Sequence, residues 1–483
     1  MTYIFNRTET GVFGEQITAE LTPEVQIDNK YQIDPANLSN LEIFEATGGS
    51  ADNNGNLFRC QTGTSLGGYG VIRSRNDVIY RAGEGIEARF TARFTTGIAN
   101  SLQFGGLFSL TETLAFGYDG ASFSCLHSYG GAAEVQLITV TATGAGTCTV
   151  TLDGTASSGI TVTNSTVQTN AREITDGLNA DALANSWRFE QVNDKVFCIS
   201  KSVGNKTGSM LISGGVTASI VEQTQGVAKT DAHTAQASWN LTTTPFTGFD
   251  PTELNVYRIT LGYLGVANII FSIYDPTTAE FIEVHQIEWA NANSITHIGN
   301  PNLKVGWTSA SLGSTGTNLT VEGGSAYVAI QGKRIIKTTA FAYDNSVGSI
   351  GGTETAVLTL RNRVVYGDRF NLSKIEPLQI SVDNDHTKGT IIEVKINPTV
   401  AGTPNFQYED EFNSVAIVDG AGTTITGGTL VESFIVGNGD SQTVNIENLG
   451  IVLLPEDELV ITAQTVSGSG ATVTAAIAWK EEK

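Results

Sequence analysis

The residues most suggestive of chemistry lie in one short run, Glu283-Val284-His285-Gln286-Ile287-Glu288-Trp289. Two carboxyl groups flanking a glycosidic bond can cleave it, one protonating the leaving oxygen while the other attacks the sugar or activates water. That chemistry needs Glu283 and Glu288 on one side of the chain. On a regular strand they point to opposite faces, so a bulge would have to intervene; the competing reading is a partly solvated strand. A second polar run, Asp383-Asn384-Asp385, offers oxygen atoms to calcium, but such a site needs six or more, and a polar turn accounts for the same residues. His127, His233, His297 and His386 are scattered without metal-ligand spacing. No phosphate-cradling loop, nucleophile elbow or zinc-protease motif stands in a usable context. The expectation is therefore a protein that is not an enzyme, with no catalytic, cofactor-binding or metal-ligating residues assigned and no cofactor.

Residues suited to binding are easier to find. Tyr129, Trp239 and Trp307, if exposed in loops at one end of a sandwich, would give stacking platforms for sugar rings; packing in a core is the alternative. Arg73, Arg75, Arg81, Arg89 and Arg93 concentrate positive charge in a chain with 27 Lys and Arg against 49 Asp and Glu, a formal charge of -22. Such a field repels phosphate backbones and anionic membranes, so neither nucleic-acid binding nor membrane insertion is expected. The arginines read first as ion-pair partners between subunits, and second as a polyanion site.

The elements that would position these residues are strands. In Val78–Phe94 the second half alternates strictly, with Ile86, Ala88, Phe90, Ala92 and Phe94 on one side and Glu87, Arg89, Thr91 and Arg93 on the other, the pattern of a half-buried strand. At 483 residues, with only 16% charged residues and 53 glycines, the chain has the composition of several β-rich units joined by turns. The expected fold is all-β: two serial β-sandwiches, the first jelly-roll or lectin-like, with a small α+β domain inserted in it. The expected divisions are an N-terminal arm or cap over 1–50, a first sandwich over 51–340 interrupted by the insert at 139–226, and a C-terminal sandwich over 341–483. Tyr118-Asp119-Gly120 and Asp275-Pro276-Thr277-Thr278 mark hairpins. In the insert, Asn170 and Glu173 suggest the cap of one short helix with Ala171, Ile174 and Leu178 on its apolar stripe. The host alternation resumes in Tyr257, Ile259, Leu261 and Tyr263, and a polar link is expected near 343–353. Cys60, Cys125, Cys148 and Cys198 lack paired spacing and read as buried thiols of a reducing compartment. The first residues show neither a basic nor an apolar leader segment, and no run reaches transmembrane length.

Two resemblances follow from these segments. The Glu283–Trp289 run resembles the E-x-D-x-x-E strand of laminarinase-type glycosidases, with His285 standing where the family has its central aspartate. The segments DVIYRAGEGIEARFTARF, LAFGYDGASF, NVYRITLGYLGVANIIFSIYDP and IEWANANSITHIGNPNL resemble structural proteins of virions: tail-fibre, baseplate or capsid-surface proteins of tailed bacteriophages and large DNA viruses. That resemblance implies a virion component made in host cytoplasm. The implied partners are its own copies in a homo-oligomer, a trimer among the options, together with other virion proteins and host surface glycans. A carbohydrate-binding lectin-like adhesin is the alternative, and a glycoside hydrolase using Glu283 and Glu288 a third reading.

Overall fold

In the computed structural model the strictly alternating run forms the ten-residue strand Gly85–Phe94, which buries Ile86, Ala88, Phe90, Ala92 and Phe94 in one hydrophobic core. The structure describes residues 21–29, 40–80, 83–262, 264–332, 338–367, 369–385, 387 and 389–483. Arg81, Tyr263, His386 and much of the expected N-terminal arm (1–20 and 30–39) lie outside the described residues. Strand accounts for 57% of the described residues and helix for 5%, which makes the fold all-β. Contacts divide the chain into two units, 1–132 with 228–335, and 133–227 with 336–483.

The first unit is a pair of antiparallel sheets packed face to face. In one, Glu280–Ile287, Ile269–Asp275, Asn255–Gly262 and Gly85–Phe94 follow in order. Beyond Gly85–Phe94, its first half pairs with Ser325–Gln331, itself paired to Leu21–Asp28, and its end pairs with Thr320–Gly323, followed by Leu57–Gln61 and Ser50–Asn54. The other sheet runs through Ser122–Tyr129, Thr113–Asp119, Ser101–Phe108, Lys304–Ser311, Tyr69–Ser74 and Leu41–Ala46. Side chains of the two sheets meet in an aromatic core, where Phe116 lies 4.8 Å from Tyr257 and Phe58 lies 5.2 Å from Trp307 between ring centroids. Gly105 is required at the centre of this contact: a Cβ there would sit 2.9 Å from Trp307 Cδ1 and 3.1 Å from Phe90 Cε2. The expected hairpin at Asp119-Gly120 joins Thr113–Asp119 to Ser122–Tyr129, with Gly120 at φ 58°, the left-handed conformation that a tight turn demands.

The second unit has its own sandwich core. Thr339–Ile350, Ala471–Glu482, Lys374–Asn384 and Ser441–Asn445 form one sheet. The other carries Thr355–Asn362, Glu458–Thr465, Thr390–Ile396 and Thr429–Val436 in neighbouring positions, and the two enclose Leu358, Ile392, Ile461, Ile477 and Trp479. The polar link expected near 343–353 is instead largely strand. Phe341, Tyr343 and Val347 of Thr339–Ile350 pack against the core, and intervening Asp344, Asn345 and Ser346 masked the alternation.

Within 133–227 a sheet of Trp187–Val192, Lys195–Val203, Ala133–Ala142 and Thr217–Thr224 is covered on one face by the helix Val167–Asn179. Ala171, Ile174 and Leu178 are buried as expected, but the cap lies earlier: Thr166 accepts from Thr169 N, while Asn170, inside the helix, donates Nδ2 to the Thr163 carbonyl. A threonine in extended backbone was free to take the capping position. Val135, Phe197 and Ile199 instead join Val364, Val365, Phe406 and Ile417 in a further cluster. The Glu190 carboxylate, at the edge of that cluster, accepts from Val364 N at 2.8 Å and 3.0 Å. All four cysteines are buried and free. No helix among the described residues is long and apolar enough to cross a membrane.

Candidate functional site

Alternation that buries one face of Gly85–Phe94 necessarily gathers polar side chains on the other. The strand registers align them in a row across six strands: Glu283, Ser272, Arg258, Arg89, Tyr327 and Gln26. The Phe281 ring lies beneath two guanidinium groups, 4.5 Å from Arg258 and 5.5 Å from Arg89, a geometry that holds both cations over an aromatic face. Arg89 Nε also donates to Glu87 at 2.5 Å, and Glu87 is buried, so this charge is balanced within the sheet. Burial raises the Tyr327 phenol above its ordinary range despite the favourable field of Arg89, with Glu87 adding to the rise; the phenol stays protonated and able to donate. At one end of the row a pocket of about 330 Å³ is lined by Gln26, Asp28, Arg89, Thr91, Ser325 and Tyr327. An amide, a carboxylate, a guanidinium, hydroxyls and a phenol around one cavity can donate to and accept from a ligand rich in hydroxyl groups.

The glutamate strand is irregular in a way that matters. Its pairing shifts register between Phe271 and Ser272, leaving Val284 as the extra residue of a bulge. The bulge resets the alternation, so Glu283 and Gln286 pair with residues of the outer face while His285 pairs with core residue Phe271. Gln286 Nε2 reaches Glu288 Oε1 at 3.4 Å, which brings the second glutamate to the same side. Opposed faces, the expectation for a regular strand, therefore do not apply. Both carboxyl groups are exposed, however, whereas an acid–base pair needs two distinct environments. The outward position between them holds an amide, Gln286. His285 turns inward, its Nδ1 2.9 Å from Asn240 Oδ1, and burial lowers its pKa.

The other sequence candidates are dispersed into structural roles. Trp307 and Trp239 belong to the core, with their indole N–H groups donating to the carbonyls of Thr91 and Thr234. Tyr129 packs against Trp289 at 4.9 Å. None of these three forms an exposed stacking platform. The arginines expected between subunits find partners within the chain: Arg73 with Glu42 at 2.8 Å, Arg89 with Glu87 and Arg93 with Glu322. Asp385 Oδ1 accepts from Thr472 N, and Asn384 Nδ2 donates to the Gly437 carbonyl, so the calcium candidates serve as turn and strand fasteners. Among the described residues no three His, Cys, Asp or Glu side chains converge as metal ligands.

One grouping was not legible beforehand. His127 and His297 come together beside Trp289, with His127 Nε2 2.8 Å from the His297 carbonyl. Burial, then the neighbouring His127, pushes His297 down to about 4. Nearby Glu112 accepts from Gly299 N at 2.9 Å and is raised to about 7 by burial. Their separation along the chain hid the cluster, and no local motif marks it.

No family model matches the chain, and no curated protein matches it. Among solved structures it is similar to the carbohydrate recognition domain of Emp47p, at 9% identity over 64% of this chain and 94% of that one, with a TM-score of 0.24. Lectin I from Ulex europaeus is similar at 11% identity over 63% and 97%, with a TM-score of 0.23. A legume lectin-like domain from Entamoeba histolytica is similar at 11% over 62% and 95%, with a TM-score of 0.24. At such scores the likeness carries no argument about the site, which rests on its own residues.

Proposed function

We propose that this chain is a carbohydrate-binding, lectin-like protein that acts without turnover, and that it holds saccharide on the polar outer face of the first unit's sheet. The observation that carries the reading is the pocket lined by Gln26, Asp28, Arg89, Thr91, Ser325 and Tyr327 at the end of a row of hydrogen-bonding side chains. Binding asks only for rigid placement of such groups, and six paired strands supply it. Catalysis asks in addition for a differentiated acid and base, and the exposed Glu283 and Glu288 do not supply one.

A panel of neutral and acidic polysaccharides tests the proposal by titration calorimetry and by assay of released reducing ends. Saturable binding without cleavage, weakened about tenfold or more in Tyr327→Ala through loss of a half-buried donor to the ligand, is the expected result. Reducing ends that disappear in both Glu283→Gln and Glu288→Gln would replace it with the glycosidase reading. Absence of binding across the panel would remove it altogether. A second reading, a structural component of a virus particle, draws support from an apolar strand edge suited to assembly, and electron microscopy of particles carrying the labelled chain tests it.

A further inference from the structure

Every open sheet carries edge strands, whose unpaired N–H and C=O groups invite another strand unless something blunts them. Several edges among the described residues are blunted. Thr339–Ile350 carries Asp344 and a register shift between Val347 and Ile350, with Ser349 at φ 63°. Glu280–Ile287 is bulged and carries Glu280 and Glu283. Thr217–Thr224 shifts register in two places and carries Glu222. Ser441–Asn445 has only five residues.

Thr429–Val436 is different. Among the described residues it pairs only with Thr390–Ile396, and its sequence, TLVESFIV, contains no Lys, Pro or Gly and a single ionisable side chain, Glu432, whose carboxylate accepts from Ser433 N at 2.9 Å, a local bond that an added strand would replace. Leu430 is 51% exposed and Ile435 62% exposed. Ile435 belongs to a wider apolar patch: it and Val466 both border Gly389, where a Cβ would lie 3.3 Å from the one and 3.7 Å from the other, and Val466 is itself exposed. One bulge lies near the start of the strand, between the pairs of Val394 and Lys395, and leaves Glu432–Val436 regular. Glycines flank the strand as Gly427-Gly428 and Gly437, so no large side chain guards either end.

We propose that this edge is a homodimer interface, at which the strand Thr429–Val436 of two copies pairs antiparallel and joins their sheets into one. The occupant is a second copy for two reasons. A chain of net charge -22 repels its own copies over most of its surface, and this strand is a stretch where they meet with one carboxylate each. The sequence is also self-complementary in the antiparallel sense. With the two-fold axis at Phe434, Phe434 faces its own copy, Ile435 faces Ser433, and Glu432 faces Val436. No like charges are opposed, and the exposed Ile435 side chains become diagonal neighbours across the axis. Such a contact, built on a few residue pairs, falls below about 1,200 Å² and in the class of transient interfaces, with an expected Kd of about 10 μM.

Sedimentation velocity of the full chain from about 1 to about 100 μM tests this. The expected result is a concentration-dependent dimer, lost in Ile435→Lys because an edge lysine opposes strand addition, and lost also in Ser433→Lys, which probes the same register through an exposed polar position. Leu66→Lys, which alters an equally exposed leucine of the first unit, should leave the dimer intact. Circular dichroism confirms folding of each variant. A monomer of 51.1 kDa at every concentration would overturn the proposal. So would a dimer that survives both strand variants, or one abolished equally by Leu66→Lys.

Discussion

Glu190 gives the sharpest prediction, because its carboxyl is fully buried in the second unit and yet ionisable. Burial is the largest influence on it and raises it from 4.5 to about 7 against the opposing fields of Arg361 and Arg363 and the hydrogen bond from Val364 N. The folded chain therefore keeps a proton on Glu190 between pH 4.5 and about 7, while the unfolded chain has released it. Stability from this group is complete below pH 4.5, declines as pH rises through that window, and is flat above it. Each pH unit of the window costs up to about 1.4 kcal/mol, and the whole about 3 kcal/mol. Glu190→Gln keeps an acceptor for Val364 N and removes the titration. Urea unfolding of the full chain at about pH 5 and about pH 7.5, with hydrogen exchange at the Val364 amide as the local reading, measures the difference. The parent chain should lose stability at Val364 between the two conditions and the variant should lose much less. An equal loss in both would refute the assignment. Glu190→Ala serves as the contrast: by leaving Val364 N without its acceptor, it should cost about 1–3 kcal/mol at either pH.

Two further perturbations probe the frame that positions the sites. Gly105→Ala places a methyl group against Trp307 and Phe90 in the core between the first unit's sheets and should cost about 1–3 kcal/mol of that unit's stability by urea titration; an unchanged midpoint would contradict the close approach. Excision of 139–226 through a short linker would leave the remaining chain intact if that segment were a free-standing insert. Because Phe197, Ile199 and Val192 complete a cluster with Val364, Phe406 and Ile417, the excision should instead lower the stability of the C-terminal sandwich while the first unit keeps its own, as read by limited proteolysis.

The parts of this fold that were legible in the sequence are those in which one face of a strand is buried and the other is not. Gly85–Phe94 has that property from Ala88 to Phe94, and period-two patterning then fixes both the core and the polar face opposite. Thr339–Ile350 hides it, because its inward face of Phe341, Tyr343 and Val347 is interrupted by Asn345, whose amide donates to the Val357 and Gly420 carbonyls where an apolar side chain would continue the pattern. The helix was found through Ala171, Ile174 and Leu178, but its start was misplaced by one turn, since Thr166 and Asn170 are both competent caps and only tertiary placement decides between them. The site was half legible. Arg89 and Glu283 drew attention as charges, but their place in one row depends on cross-strand register, and the bulge at Val284 that brings Glu288 to the side of Glu283 is announced by no local spacing. The aromatic candidates failed for a related reason: Trp307 and Trp239 satisfy their indole N–H groups on backbone carbonyls inside the core, so aromatic character alone could not separate a packing residue from a sugar platform. The proposed binding face, made from outward positions of six strands rather than from a loop motif, leaves almost no signature in consecutive residues. Its definition lies in cross-strand register, and a one-residue slip in any strand would turn that strand's contribution into the core.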